Sequence, residues 1–276
     1  MTKKASSLRI LAGQIDIPKI RCAADRDAHL ARTSAEIEAA LRECPRDLVV
    51  LPELSSLEYS RQAFDMLYEL AEPLDGMSFK VWGAVARRHG CHIAYGFARS
   101  DGEGNYFISI GVVDPDGQLV GHYDKIHLAQ YGASMEKDYF TRGDHLFTFN
   151  VNGFCIAPII CYDIRIPEIS RALVIDHGVD LILHCGAYYR DESFATWHDF
   201  AMTRAIENQI FFLSLNRAGE NWGNSLFCRP WMDETRPAVA FPDHAPALRD
   251  IRVERAEIEA ARRDYSFLQD RLPAYR

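Results

Sequence analysis

Three side chains in this sequence are of types that do chemistry together, and each follows a short apolar run. Glu53 closes DLVVLPE (47–53), Lys125 follows LVGHYD (119–124), and Cys161 follows CIAPII (155–160) and opens the polar word CYDIRIPE. A thiol is a strong nucleophile once deprotonated, so it needs a base nearby. A carboxylate in a closed pocket has a raised pKa and takes that proton near neutral pH. A lysine ammonium stabilises the oxyanion that forms when a carbonyl is attacked. Together the three describe acyl transfer through a thioester. Singly they say less. A cysteine ending a strand is most often a packed thiol, a glutamate after Leu-Pro is usually a solvated loop residue, and a lysine after a strand is usually surface charge. Spacing alone does not bring the three together.

Ends of buried strands are rigid platforms from which side chains converge on a pocket. LRILAGQID (8–16) reads as a buried strand. From Asp25 to Cys44 the period turns helical, with Leu30, Ser34, Ile37 and Leu41 on one stripe. DLVVLPE is a short β-branched strand stopped by Pro52. Residues 77–90 read as a helix stopped by Gly90, and CHIAYGFAR (91–99) as the next strand. DPDG turns a hairpin that leads to Lys125, and Asn152-Gly153 turns a second that runs into Cys161. A helix entered through Pro167 spans 167–178, VDLILH (179–184) is a buried strand, and a helix over 193–208 precedes the strand IFFLSLN. LRDIRVE (248–254) is the last strand expected, and the tail DYSFLQDRLPAYR has no strong period. Many apolar strands mixed with helices, with no repeat or linker, predict one α/β domain over 1–276 with sheets covered by helices.

Composition narrows the function classes. Hydrophobic residues are 48% and charged residues 25% of 276, ordinary globular values. A net charge of -8 argues against a nucleic-acid partner. No stretch approaches the length of a membrane span. The first residues hold an apolar run too short for a signal peptide and lack a small-residue cleavage site, so a cytoplasmic location is expected. Seven cysteines at irregular spacings, without a CxxC pair, suggest neither a zinc site nor a disulfide framework. No HxxxH or HxH spacing offers metal ligands near His184 and His198, and His127 reads as an orienting residue. No metal or cofactor is expected.

The words LPE (51–53), YDKIHL (123–128) and ICYDIRIPE (160–168), in that order, resemble the nitrilase superfamily of carbon–nitrogen hydrolases. The resemblance extends over nearly the whole chain, through LRILAGQID with Gln14, RAIENQIFFLSLN, GNSLFCRPW and DYSFLQDRLPAY. It implies a four-layer αββα sandwich and a Glu–Lys–Cys triad, with Glu53 as general base, Lys125 as oxyanion-stabilising lysine and Cys161 as nucleophile. The backbone N–H of Tyr162 would complete the oxyanion hole. MEKDYFTRGD (135–144) resembles a word of carbamoylase and amidase members and points to Glu136 as a second active-site glutamate. It implies a homodimer or higher homo-oligomer, formed partly through the tail at about 262–276. The implied reaction is hydrolysis of a small amide with release of ammonia. The alternative is an N-carbamoyl amidohydrolase releasing carbon dioxide as well; a nitrilase or a non-catalytic interaction protein is disfavoured.

Substrate contacts are expected from Tyr59, Tyr131, Tyr188 and Tyr189, with Trp197 beside them. Arg165 either binds a substrate carboxylate or pairs structurally, as do Asp163 and Glu168. The chain departs from the family pattern at Asp124, where arginine is frequent, and at Cys185-Gly186, where an Asn-Pro pair is frequent. GENWGNSLFCRPWMDETRP (219–237) is expected to cover the site with its tryptophans.

Overall fold

Alternation along the first strands decides the layering of the molecule. The computed structural model describes residues 6–274. In β1 (Ser7–Gln14), Leu8, Ile10 and Ala12 face one apolar cluster while Leu11 faces another. In β2 (Leu48–Val50), Leu48 and Val50 face the first cluster and Val49 the second. In β3 (His92–Ser100), Ala94 and Ala98 oppose Ile93, Tyr95 and Phe97 in the same way. A strand apolar on both faces must be covered on both. Helices α1 (Ala23–Glu43), α2 (Arg61–Phe64), α3 (Leu67–Leu70) and α4 (Met77–His89) follow in chain order; α1 and α4 pack together and cover the second cluster with Leu30, Ile37, Leu41, Trp82 and Val85. Gly90 caps α4 in a left-handed conformation.

The hairpin β4 (Tyr106–Val113) and β5 (Leu119–Asp124) completes that sheet, which closes on β12 (Ala247–Glu254) in the order β12-β1-β2-β3-β4-β5. The second sheet holds β6 (Phe149–Val151), β7 (Phe154–Ile160), β8 (Leu181–Cys185), β9 (Phe211–Leu215), β10 (Leu226–Cys228) and β11 (Val239–Ala240), in reverse order. Asn152 and Gly153, both at positive φ, make the tight turn between β6 and β7. Helices α5 (Pro167–Ile175) and α6 (Trp197–Asn208) pack together over the outer face of the second sheet. The sheets face one another, β1 against β9 and β4 against β7. The result is the αββα sandwich that the resemblance implies. Each sheet has a parallel centre, β1-β2-β3 and β7-β8-β9, with antiparallel strands outside it.

The structure departs from expectation in places. On α1 the buried polar residues are Arg26, His29 and Thr33, while Ser34 is only half-buried. The helix expected over 193–208 begins with a 3-10 turn at Phe194–Thr196, and the one expected to 178 stops at Ile175. Helices α7 (Arg255–Asp264) and α8 (Phe267–Asp270) were not anticipated; α7 buries only Ile258 and Ala261, too few to print a period. Of the tail expected at a subunit interface, Tyr275 and Arg276 lie outside the described residues. No helix among the described residues is long and apolar enough to cross a membrane.

Candidate active site

Glu53 stands three residues beyond β2, on the parallel centre of the first sheet. The chain reaches it by continuing to pair with β3, where Leu51 N–H donates to Ala94 O at 2.9 Å. It then turns sharply at Leu54, whose φ is 47°. Gly96 makes the approach possible: a Cβ there would lie 2.2 Å from Pro52 O and 2.6 Å from Leu54 N. Lys125 directly follows β5. Its N–H donates to Ile108 O at 2.9 Å and its carbonyl accepts from Gly143 N–H at 2.8 Å, so the backbone is held on both sides. Glu136 opens a 3-10 turn at Glu136–Asp138, and its backbone N–H and side chain close a reciprocal pair with Ala129: Glu136 N–H to Ala129 O at 3.0 Å, Ala129 N–H to Glu136 Oε2 at 2.8 Å.

These three charged side chains meet out of contact with solvent. Lys125 Nζ donates to Glu53 Oε1 at 2.8 Å and to Glu136 Oε1 at 2.7 Å, and all three are fully buried. Tyr59 O–H donates to Glu136 Oε1 at 2.8 Å, and Ala187 N–H from the loop after β8 donates to Glu53 Oε2 at 2.8 Å. Two carboxylates share one ammonium. Burial pushes Glu53 up, Lys125 pulls it down and Glu136 adds repulsion, leaving it at about 7. Burial alone would lower Lys125, but Glu136 and Glu53 outweigh it and hold the ammonium well above its ordinary range.

Cys161 comes from the other sheet. It follows β7, opens a 3-10 turn at Cys161–Arg165, and has a φ of 43°. A non-glycine residue adopts that left-handed conformation only when its surroundings enforce it. Asp163 is one enforcer. Fully buried, its Oδ2 accepts from Ile160 N–H at 3.0 Å and Tyr123 O–H at 2.7 Å, and its Oδ1 from the backbone and imidazole N–H groups of His127 at 3.0 and 2.9 Å. His127 thus orients the turn, and among the described residues no group of three or more histidines, cysteines or acids is arranged to hold a metal. Burial pushes the Cys161 thiol well above its ordinary range, Glu53 and Glu136 add to this, and Lys125 and the Ala187 N–H oppose it. The thiol is therefore protonated at rest.

A cavity of about 180 Å³ opens onto Cys161. Tyr59, Tyr131, Tyr188, Tyr189 and Trp222 supply its aromatic walls, with Ala187, Asp191 and Ser193 between them. Arg165 is half-buried beside this wall, its guanidinium 5.7 Å from the Tyr131 ring centroid and 5.1 Å from that of Phe200 and its Nη2 donating to Ser193 O at 3.5 Å, and it forms no ion pair with a described carboxylate. Trp197 belongs to the core instead, stacked on Tyr188 at 4.6 Å with 6° between the rings. Of the two tryptophans expected to cover the site, Trp222 lines the cavity, while Trp231 stacks on Tyr265 at 3.6 Å. Asp124, beside Lys125 in sequence, points away from it: its carboxylate takes Arg99 Nε at 3.0 Å and Nη2 at 2.7 Å, together with the Ser109 hydroxyl. Glu168 is exposed in the first turn of α5. Gln14 ties the sheets together, accepting from the Ser225 N–H and hydroxyl and donating to Pro242 O and Ala245 O.

Sequence reasoning passed over His184 as anything but an absent metal ligand, and did not find Asn216. Asn216 Oδ1 accepts from Tyr188 N–H at 2.9 Å and its Nδ2 donates to Tyr188 O at 3.0 Å, fixing the cavity wall. A polar residue at the end of the apolar run FFLSL was the available signal.

Known proteins resemble this chain over most of its length. The profile of the carbon-nitrogen hydrolase family matches residues 9–259. An (R)-stereoselective amidase of Pseudomonas sp is 30% identical over 255 residues, 90% of this chain and 88% of that protein. The 2-oxoglutaramate amidase of Bacillus subtilis (strain 168) is 32% identical over 191 residues, 67% of this chain and 71% of that one. The crystal structure of Saccharomyces cerevisiae Nit3, a member of branch 10 of the nitrilase superfamily, superposes with a TM-score of 0.82 at 21% identity, covering 94% of each chain.

Proposed function

The chain belongs to the carbon–nitrogen hydrolase family, and from that premise we propose that it hydrolyses small amides through a thioester on Cys161, releasing ammonia. The observation that carries the proposal is the convergence of a buried thiol with a carboxylate and an ammonium from the opposite sheet, with the carboxylate brought to about 7 by burial. A base poised there is ionised often enough to accept a proton and protonated often enough to return one.

Cys161 Sγ attacks the amide carbonyl as Glu53 takes the thiol proton. The S–C bond forms and the carbonyl π pair moves to oxygen. That oxyanion rests against Lys125 Nζ and the Tyr162 N–H. Glu53 then protonates the amine, the C–N bond breaks, and ammonia leaves. Water, losing its proton to Glu53, attacks the thioester; the tetrahedral intermediate collapses, the acid departs and the thiol is restored. Glu136 holds Lys125 and, through Tyr59, one wall of the cavity.

The aromatic lining and the absence of any arginine or lysine among the described residues lining the cavity support an uncharged acyl group. They favour the amidase over N-carbamoyl amino acid hydrolysis, which presents a carboxylate, because Arg165 is not among the residues lining the cavity. The test is a panel of primary amides, N-carbamoyl compounds and nitriles, with ammonia and carbon dioxide followed separately and Cys161→Ala protein as control. Ammonia alone, absent with the variant, supports the amidase. Carbon dioxide in equal amount replaces it with the carbamoylase, and silence across the panel from folded protein removes the enzyme reading. The same reading includes a homo-oligomer joined partly through the tail, where Tyr265, Phe267 and Leu272 expose apolar surface; light scattering of chains ending before and after 262 tests it.

A further inference from the structure

His184 is a fully buried ionisable group that the chemistry above leaves without a task. Its hydrogen bonds run in one direction. Trp197 Nε1–H can only donate, and does so to Ser214 Oγ at 2.7 Å. The Ser214 hydroxyl keeps its own proton to donate and gives it to His184 Nδ1 at 2.6 Å, because the neutral ring has its one hydrogen on Nε2, facing the acceptor-only Cys161 carbonyl. His184 Nε2 then carries hydrogen and donates to the Cys161 carbonyl at 2.9 Å, an oxygen that can only accept. A second donor reaches the same oxygen: Tyr188 O–H at 3.0 Å. Burial lowers the His184 pKa to about 4, so the ring is neutral and this tautomer persists through the neutral range.

The Cys161 carbonyl and the Tyr162 N–H are two ends of one planar peptide unit. Two donors on the carbonyl fix the orientation of that plane at a residue whose φ is 43°. They also draw electron density toward the carbonyl oxygen, which strengthens the N–H as a donor. The fold makes room for this arrangement at Gly186, where a Cβ would lie 2.8 Å from Tyr188 Cδ2. A larger residue there would displace the Tyr188 ring and its hydroxyl.

We propose that His184 and Tyr188 are positioning residues for the oxyanion, acting through the Cys161–Tyr162 peptide rather than on substrate. The proposal rests on the assignment of Tyr162 N–H as an oxyanion donor. The clamp is neutral, so it does not compete with Glu53 for protons.

The test compares wild-type protein with His184→Leu, His184→Gln, which keeps a side-chain N–H, and Tyr188→Phe. Three quantities are read: kcat and KM for an amide substrate, affinity for a small aliphatic aldehyde, and the rate of Cys161 alkylation by iodoacetamide. The aldehyde adds to the thiol with S–C bond formation, its oxygen becoming the oxyanion and the thiol proton passing to Glu53. Alkylation displaces iodide and forms no oxyanion. His184→Leu is expected to lower kcat and aldehyde affinity by about tenfold, less than the roughly 100-fold or more for removing an oxyanion donor outright. KM and the alkylation rate should stay within about twofold of wild type, and the acid limb of activity should not move. His184→Gln should recover most of the loss, and Tyr188→Phe should reproduce it in part. Alkylation falling in step with kcat would overturn the proposal, since the clamp would then be setting the thiol. So would a His184→Leu enzyme equal to wild type, or, should that variant fail to fold, a Tyr188→Phe enzyme with unchanged aldehyde affinity. Wild-type protein that neither hydrolyses amides nor binds aldehydes would instead remove the underlying amidase reading, and this proposal with it.

Discussion

The first sheet brings charge to the cavity and the second brings neutral groups. Glu53, Lys125 and Glu136 are a fully buried trio with two negative groups and one positive. Across from them, Cys161, His184, Ser214, Trp197 and Tyr188 are joined by hydrogen bonds among uncharged groups. The charged side is held in place by mutual attraction and by backbone donors, because a buried charge without a partner is strongly destabilising. Burial raises Glu53 into the range where a base works, and repulsion from Glu136 adds to it against the pull of Lys125. The neutral side has no such pull and instead sets direction, holding the Cys161 carbonyl while Asp163 holds the left-handed turn. The comparison separates two requirements of the site: one sheet tunes a proton, the other fixes a plane.

Removing Lys125 should disturb the charged side most. Lys125→Ala leaves two buried carboxylates facing one another, with an expected cost of roughly 3–5 kcal/mol in stability and loss of more than about 100-fold in kcat. Burial already holds the Glu53 pKa above that of the unfolded chain, and without the ammonium, which lowers it, it rises further. The contribution of Glu53 is then present at low pH and lost as pH rises through its folded value, so the variant should fall furthest below wild type in alkaline buffer. Thermal unfolding across pH checks the sign.

The next largest effect is the pH dependence of the wild-type enzyme. Glu53 must be a carboxylate to accept the thiol proton, and burial has brought its pKa to about 7. kcat/KM should fall as pH drops through about 7. An acid limb at the ordinary carboxylate range would break the link between burial and base strength.

Glu136→Gln should sharpen that link. Glu136 raises Glu53 and competes for Lys125, so removing its charge should move the acid limb to lower pH. The accompanying loss in kcat should be about tenfold to 100-fold, through Lys125 and Tyr59. A limb that moves upward would show that Glu136 acts on Glu53 in the opposite sense.

Asp124→Asn should be the mildest. Burial would raise the Asp124 pKa, but hydrogen bonds from His122, Arg99 and Ser109 hold it below its ordinary range. Its contribution to stability is present above the unfolded carboxyl range and lost as pH falls through the depressed folded value. The variant should lose about 1–3 kcal/mol at neutral pH, less in acid, and change kcat by less than about threefold. A larger change in kcat would mean that the pair with Arg99 tunes Lys125 after all.

The sequence made the charged side easier to read than the neutral one. Glu53, Lys125 and Cys161 each follow an apolar run, and strand ends point side chains at a common pocket. Glu136 was visible only through its resemblance, because a 3-10 turn leaves no period. The αββα layering likewise came from resemblance; alternation by itself gave strands covered on both faces. His184 was hidden because a histidine inside VDLILH looks like any satisfied core residue, and its partners Ser214 and Trp197 are 30 and 17 residues from their neighbours in the network. Trp197 was expected in the cavity because aromatic residues at cavity walls and in cores have the same composition; only the stacking on Tyr188 distinguishes them. Helix α7 was missed for want of apolar residues.

The central claim is that Cys161 carries the acyl group. The most direct measurement is the intact mass of the protein, quenched by acid during turnover of an amide whose ammonia release has been established, followed by peptide mapping. The account predicts a mass increase equal to the acyl group, located on the peptide bearing Cys161, labile to hydroxylamine and absent from Cys161→Ala. Turnover that persists in Cys161→Ala protein, or an acyl group found on another residue, would contradict it.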